Sequence, residues 1–350
     1  MITKTEFEEY CKNNNLRYKF ENKYYNEIFL KSDWNNNNLF IVLCCYGYIE
    51  TIKWLWTKGE INIRANDEEV FRRSCDVERL EVAKLLIEIS KENGEIINIH
   101  ARNEEAFRES CSNGKIEVAK WLYKISKENG EIINIHADNE DAFIRSCFSE
   151  QQIEIAKWLM EIAKENGEII NIHAKNEYLF RESCLNGKIE IAKWLIEIAK
   201  ENGEKINIYT NNEEAFELSC CFGHLEVAKW LYEISKENGK IIDIHAENEE
   251  AFKLSCKNGY IEVVKWLIEI SEENEEIINI HAENEEAFIM SCVYNRIEVV
   301  EWLCSLCDEY YIEIEDNKIV KYGIKNMYDK FLDENKGIGK IMRKLQMKII

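Results

Sequence analysis

Thirteen cysteines and a ladder of five histidines are the residues best equipped to do chemistry in this chain. Eight of the cysteines share one register: Cys44, Cys75, Cys111, Cys147, Cys184, Cys220, Cys256 and Cys292. From Cys75 onward the spacing is 36 residues, with a single step of 37, and the step from Cys44 to Cys75 is 31. Thiols can ligate metals or form cross-links. At this spacing, however, each belongs to a separate copy of a repeated unit, and packed helices would hold neighbours about 8–10 Å apart, too far for a disulfide. The register is therefore expected to be small packing residues. His100, His136, His173, His245 and His281 form the second ladder, but Arg64 and Tyr209 take the same place in other copies. No carboxylate or thiol recurs beside them at ligand spacing, so they are expected to hydrogen-bond across stacked segments. Cys304-Ser305-Leu306-Cys307 is a lone C-x-x-C without the second pair that a zinc site needs. No phosphate-binding glycine loop, H-E-x-x-H or G-x-S-x-G is present, so no catalytic residue, metal or cofactor is expected and the chain is read as no enzyme.

The elements that would position these side chains recur from Asn103, Asn139, Asn176, Asn212, Asn248 and Asn284, with diverged copies at Asp67 and over about Asn35 to Ala65. In the copy at Asn103, the Asn is expected to cap a first helix, with Glu104 and Glu105 placing negative charge in its first turn. Phe107, Ser110 and Cys111 lie at i, i+3 and i+4 and form its apolar stripe. Asn113-Gly114 ends it, since glycine accepts the left-handed C-terminal position. A second helix from Ile116 carries Val118, Ala119, Trp121, Leu122 and Ile125, and Asn129-Gly130 stops it. Ile132, Ile133 and Ile135 then run extended as a finger towards the next copy. Trp54, Trp121, Trp158, Trp194, Trp230, Trp266 and Trp302 recur at one position and are expected to be core knobs between second helices. Such a period marks a solenoid.

Asn258-Gly259-Tyr260-Ile261-Glu262-Val263-Val264-Lys265-Trp266-Leu267, and the G-H-L-E at Gly223-His224-Leu225-Glu226, resemble the core of ankyrin repeats. The pattern looks like the ankyrin proteins of amoebae and of the giant DNA viruses that infect them. The resemblance covers roughly residues 35–310. It implies an all-α helix-turn-helix solenoid of about eight repeats with short finger hairpins and a period of about 36. Two departures stand out: Glu-Glu-Ala-Phe, as at Glu249 to Phe252, replaces the family's T-P-L-H, and the period is longer than the family's because the second helix and its exit are extended.

Net charge is −21, which disfavours nucleic acid as a partner, since phosphate binding needs a basic face. Residues 318–350 reverse the sign, with nine Lys/Arg against three Asp/Glu. No apolar signal segment opens the chain and no apolar run is long enough to span a membrane, so an intracellular location in a reducing, host-cytoplasmic compartment is expected. A monomer is expected as well.

Copies differ from one another at two places. One is the finger tip: Arg102, Asp138, Lys175, Asn211, Glu247 and Glu283. The other follows the register cysteine: Ser112, Phe148, Leu185, Cys221, Lys257 and Val293, with Phe222 and Tyr294 beside two of them. In ankyrin proteins the fingers and first helices form the concave partner surface, so the resemblance makes these positions the candidate site for a protein partner. Residues 1–33 are expected to form a helical cap, with capping boxes at Thr3 or Thr5 and a second helix over residues 16–33. The alternative is an adaptor segment recruiting a ubiquitin ligase. Residues 34–309 are the solenoid, and residues 310–350 a hairpin turning at Glu315 to Lys318, followed by helices that include the basic amphipathic Ile338 to Ile349. That last helix is expected to be a cap rather than a membrane-surface segment.

Overall fold

A computed structural model describes residues 3–16, 36–59, 61–148 and 152–325. The expected second helix over residues 16–33, most of the turn after Phe148, and the expected helices beyond Met327 lie outside the described residues. The chain is an all-α helical repeat that divides into two compact units, Met1–Lys175 and Asn176–Ile350.

Unit 1 begins with α1 (Lys4–Asn13) and continues with the pairs α2 (Asn36–Tyr46) and α3 (Ile49–Thr57), α4 (Ala65–Asp76) and α5 (Leu80–Glu92), α6 (Ala101–Ser112) and α7 (Ile116–Asn129), and α8 (Ala137–Ser146) and α9 (Ile153–Asn166). The division falls inside α10 (Ala174–Leu185). Unit 2 holds α11 (Ile189–Glu201), then α12 (Thr210–Cys221) with α13 (Leu225–Glu237), α14 (Ala246–Asn258) with α15 (Ile261–Glu273), and α16 (Ala282–Val293) with α17 (Ile297–Leu306). It closes with an antiparallel hairpin, β1 (Tyr310–Glu315) and β2 (Lys318–Ile324). Asp316 and Asn317 carry φ of 47° and 60° at its tip, the pair of positive values that a two-residue hairpin turn requires. Within each unit, first helices pack on the first helices of neighbouring pairs.

Each pair is welded by three registers. The phenylalanine four residues before the cysteine is buried in every copy, as at Phe71, Phe107, Phe143, Phe252 and Phe288. All eight register cysteines are buried and unbridged, which matches a packing role. Burial pushes the Cys111 and Cys220 thiols well above the ordinary range, so they stay neutral. The knob of the second helix is the leucine after the tryptophan position: Leu122, Leu159, Leu231 and Leu267 have no accessible surface.

The tryptophans correct the sequence reading in most copies. Trp266 is buried as expected, but Trp54, Trp121, Trp158 and Trp230 are only half-buried. Each indole leans on a phenylalanine of an earlier first helix, as with Phe71–Trp121 at 6.3 Å, Phe107–Trp158 at 6.2 Å and Phe180–Trp230 at 6.3 Å. In the half-buried copies leucine already fills the joint between second helices, and the indole lies across it.

The expected asparagine cap is a second correction. Asn103 does not cap α6; it sits at φ 57°, between Arg102 at 56° and Glu104 at 62°. The same left-handed triplet recurs at Asn66-Asp67-Glu68, Asp138-Asn139-Glu140, Lys175-Asn176-Glu177, Asn211-Asn212-Glu213, Glu247-Asn248-Glu249 and Glu283-Asn284-Glu285. Each left-handed residue other than glycine costs about 1–2 kcal/mol, with asparagine and aspartate the most tolerant. The triplet ends on a glutamate whose side chain is turned inward: Glu68, Glu104, Glu140, Glu177 and Glu249 are all buried.

That buried carboxylate explains the fingers. His100 Nδ1 lies 2.9 Å from Glu104 Oε1, and the backbone N–H of Asn134, in the next finger, donates to the same oxygen at 3.2 Å. The arrangement returns as His136 with Glu140 and Asn171, and as His245 with Glu249 and Asn279. The finger asparagine itself closes an Asx turn, with His136 N–H donating to Asn134 Oδ1 at 3.0 Å. Among the described residues the fingers carry no strand pairing; these side-chain bonds hold them instead.

The N-terminal helix belongs to the same design. Thr3 and Glu6 form the expected capping box. Phe7 and Cys11 have the four-residue spacing of the Phe and Cys registers, both are buried, and Phe7 meets Trp54 at 6.2 Å. Helix α1 thus repeats the Phe and Cys registers of a first helix, with Cys11 standing 33 residues before Cys44.

Candidate partner-binding surface

In the copies whose turn is described, the turn between first and second helix is set by a left-handed residue shortly after the register cysteine. Gly187 and Gly223 hold it at φ 69° and 77°, and each is roofed by a side chain of the following copy. A Cβ at Gly187 would come within 2.5 Å of the His224 ring, and one at Gly223 within 2.3 Å of the Tyr260 ring. Only glycine permits that approach. Consecutive turns in unit 2 are consequently stacked, and what projects from them is fixed in position.

From these stacked turns project Phe222, Tyr260, Val293 and Tyr294, all exposed. Tyr260 lies on the Gly223 turn directly after Phe222. Its neighbours continue the strip: the Arg296 side chain covers Gly259, and Arg296 Nε donates to the Lys257 carbonyl at 3.0 Å. The Lys257 ammonium stands 5.5 Å from the centre of the Tyr294 ring. Cys221 is half-buried, and Asn258 Nδ2 donates to its carbonyl at 2.8 Å. Burial and, secondarily, Glu217 raise its thiol.

The remaining positions that differ between copies divide in two. Ser112, Phe148, Leu185 and Lys257 are half-buried, whereas Arg102, Asp138, Lys175, Asn211, Glu247 and Glu283 are exposed. The exposed six each open a left-handed triplet. Finger tips and turns occupy opposite ends of the first helix, about 15 Å apart for ten residues, so they are two strips and not one patch. The tips also touch one another: Arg102 Nε lies 3.4 Å from Asp67 Oδ2, and Asn176 Nδ2 and Asn248 Nδ2 donate to Asn211 and Glu283.

Between the strips runs an ion-pair ladder that the copies' sequences did not advertise. Arg72 pairs with Glu105, Arg108 with Asp141 at 2.6 Å, Arg181 with Glu214 and Lys253 with Glu286 at 3.3 Å. The cation is replaced by Ile144 in α8 and Ile289 in α16, and helix α12 reverses the charge by placing Glu217 there. Burial, followed by the charges of Glu250, Glu214 and Glu247, pushes the Glu217 carboxyl up. An open cleft in unit 1 is lined by charged side chains of both signs, among them Asp67, Arg72, Arg102 and Glu105, which pair with one another. Among the described residues no group of three His, Cys, Asp or Glu could hold a metal ion.

Three comparisons with known proteins bear on this surface. A sequence model of the RNA recognition motif family matches residues 28–98. That domain reads RNA from the face of a four-stranded sheet, whereas residues 36–98 carry the helices α2 to α5 and no strand among the described residues. No curated protein matches the sequence. Among solved structures, an ankyrin repeat family protein from Legionella pneumophila is similar at 17% identity and a TM-score of 0.34, over 72% of this chain and 77% of that one. What the chain's own geometry establishes is an all-α repeat of stacked helix pairs, with an aromatic strip raised on the turns of its second unit.

Proposed function

We propose that this chain is a non-catalytic, ankyrin-type scaffold that binds a partner protein through the turn-side strip of unit 2. Phe222, Tyr260, Val293 and Tyr294 would be its apolar centre, and Lys257 and Cys221 its edge. The observation that supports this is the exposure of four large apolar or aromatic side chains on closely stacked turns. Rigid aromatic anchors within a polar rim are what protein interfaces use for most of their binding energy. A net charge of −21 argues against nucleic acid as the ligand. No helix among the described residues is long and apolar enough to cross a membrane. The ligase-adaptor reading is weakened at α1, whose Phe7 is buried and whose Tyr10 stacks on Trp54 at 4.1 Å.

The test is a Phe222→Asp/Tyr294→Asp double variant used as bait for affinity purification from the native host. Both side chains are exposed, so stability should change by no more than about 0.5 kcal/mol per site. The expected outcome is loss of a protein that the wild-type chain retains, at an unchanged melting temperature. An identical set of co-purifying proteins would overturn the proposal, as would unfolding of the variant.

A further inference from the structure

We infer a second docking surface, on the fingers of unit 1, shaped for a basic amphipathic helix. Ile96, Ile132 and Ile169 are 74%, 55% and 66% exposed, while the isoleucine after each, Ile97, Ile133 and Ile170, is buried. The three exposed side chains occupy equivalent places. Each lies two residues before the Asn whose N–H donates to the buried glutamate of the preceding copy: Asn98 to Glu68, Asn134 to Glu104 and Asn171 to Glu140. They therefore form a row along stacked fingers. The fold does not require isoleucine there, because Lys205 fills the same place in another copy and is exposed.

Charge and spacing select the occupant. Every finger in the row carries Glu95, Glu131 or Glu168 immediately before the isoleucine. The adjoining helix ends hold Lys91 with Glu92, Lys127 with Glu128, and Lys164 with Glu165, so each finger is net negative. Copies stacked at the usual helix separation place successive isoleucines about 8–10 Å apart. Residues seven apart on an α-helix face the same way and are separated by about 10.5 Å. Same-face residues of a strand advance by about 6.6 Å and fall out of step. A helix with apolar side chains every seventh residue, flanked by Lys or Arg, fits both the row and its charge. A second copy docked through the same row would oppose like charges. The surface is independent of the turn-side strip.

The experiment titrates the full-length chain into a fluorescent synthetic peptide with three leucines spaced seven apart and lysines between them, and reads anisotropy. Saturable binding is expected. An Ile96→Glu/Ile132→Glu/Ile169→Glu variant with an unchanged circular dichroism spectrum and melting temperature should weaken it by about tenfold or more. The Phe222→Asp/Tyr294→Asp variant should bind the peptide as the wild type does, which separates this surface from the first. The inference is overturned by absence of saturable binding, by equal binding to the triple variant, or by equal binding of peptides with glutamate in place of lysine or leucines on alternate residues. It is also overturned if the row instead drives self-association or adsorption to phosphatidylcholine vesicles.

Discussion

Glu104 shows how much of this architecture rests on one carboxylate per copy. It ends a run of three left-handed residues, takes the ring of His100 at 2.9 Å and accepts the N–H of Asn134 from the next finger at 3.2 Å. The strain of the triplet persists because the bonds it makes possible satisfy a carboxylate that the fold buries. Glu104→Ala should leave the Asn134 N–H without a partner and cost about 2 kcal/mol locally, in line with a hydrogen bond to a charged group. Hydrogen exchange is the appropriate readout, because a repeat array need not unfold in one step. The Asn134 amide should exchange roughly thirtyfold faster, a factor set by those 2 kcal/mol. If its protection is unchanged, the carboxylate is not what holds the finger.

At the scale of the helix, α12 carries a carboxylate that faces other carboxylates across the ladder. Glu217 is half-buried, and burial together with Glu250, Glu214 and Glu247 favours its protonated form in the folded chain. The sign follows from linkage: a carboxyl raised above its unfolded value binds its proton more tightly when folded. The folded state therefore gains stability as pH falls through the raised folded value, and loses that gain as pH rises. Glu217→Gln should melt at a higher temperature than the wild type at neutral pH, and the difference should close as pH approaches the ordinary carboxylate range. A difference that stays constant with pH would assign the effect to packing. The same helices show what the sequence could reveal. Phe, Cys, Leu and Gly recur because each packs or turns against its own neighbourhood, and their periodicity disclosed the paired helices. The left-handed triplet was hidden because its reason lies in a bond from another copy's backbone, so Glu104 looked like a helix-dipole charge and Asn103 like a cap. Helix α1 itself was legible from its capping box, but its likeness to the first helices was hidden because only Phe7 and Cys11 of the register survive in it. Of the turn-side strip, Phe222, Val293 and Tyr294 were legible as differences between copies. Tyr260 was not singled out, because its place in the strip depends on how it lies over Gly223 of the preceding copy.

For the molecule as a whole, stacking copies of one unit has an electrostatic consequence. A stack needs an end on which the last repeat can close. In unit 2 the hairpin supplies it: Tyr310 stacks on Phe288 at 4.1 Å, and its hydroxyl donates to Glu285, the carboxylate that in earlier copies accepts from the next finger. Burial and this carboxylate hold the Tyr310 hydroxyl far above its ordinary value, so it remains a donor. Closure of that kind is local, whereas charge accumulates with every copy. With 66 acidic against 45 basic side chains, the chain carries an excess that its ion pairs cannot absorb, and the folded form concentrates it. Two effects of salt then oppose each other. Screening weakens the exposed pairs, such as Lys157 with Glu154, but these contribute about 0–1 kcal/mol each. The ladder pairs, such as Arg108 with Asp141, lie mostly out of solvent and are screened less. Repulsion among the unpaired carboxylates acts over longer distances, and it is the interaction that a Debye length of about 10 Å at 0.1 M removes first. The melting temperature should therefore rise between low and moderate sodium chloride at neutral pH. A fall over that range would mean that the exposed ion pairs outweigh the repulsion, and that the acidic excess is neutralised within the fold.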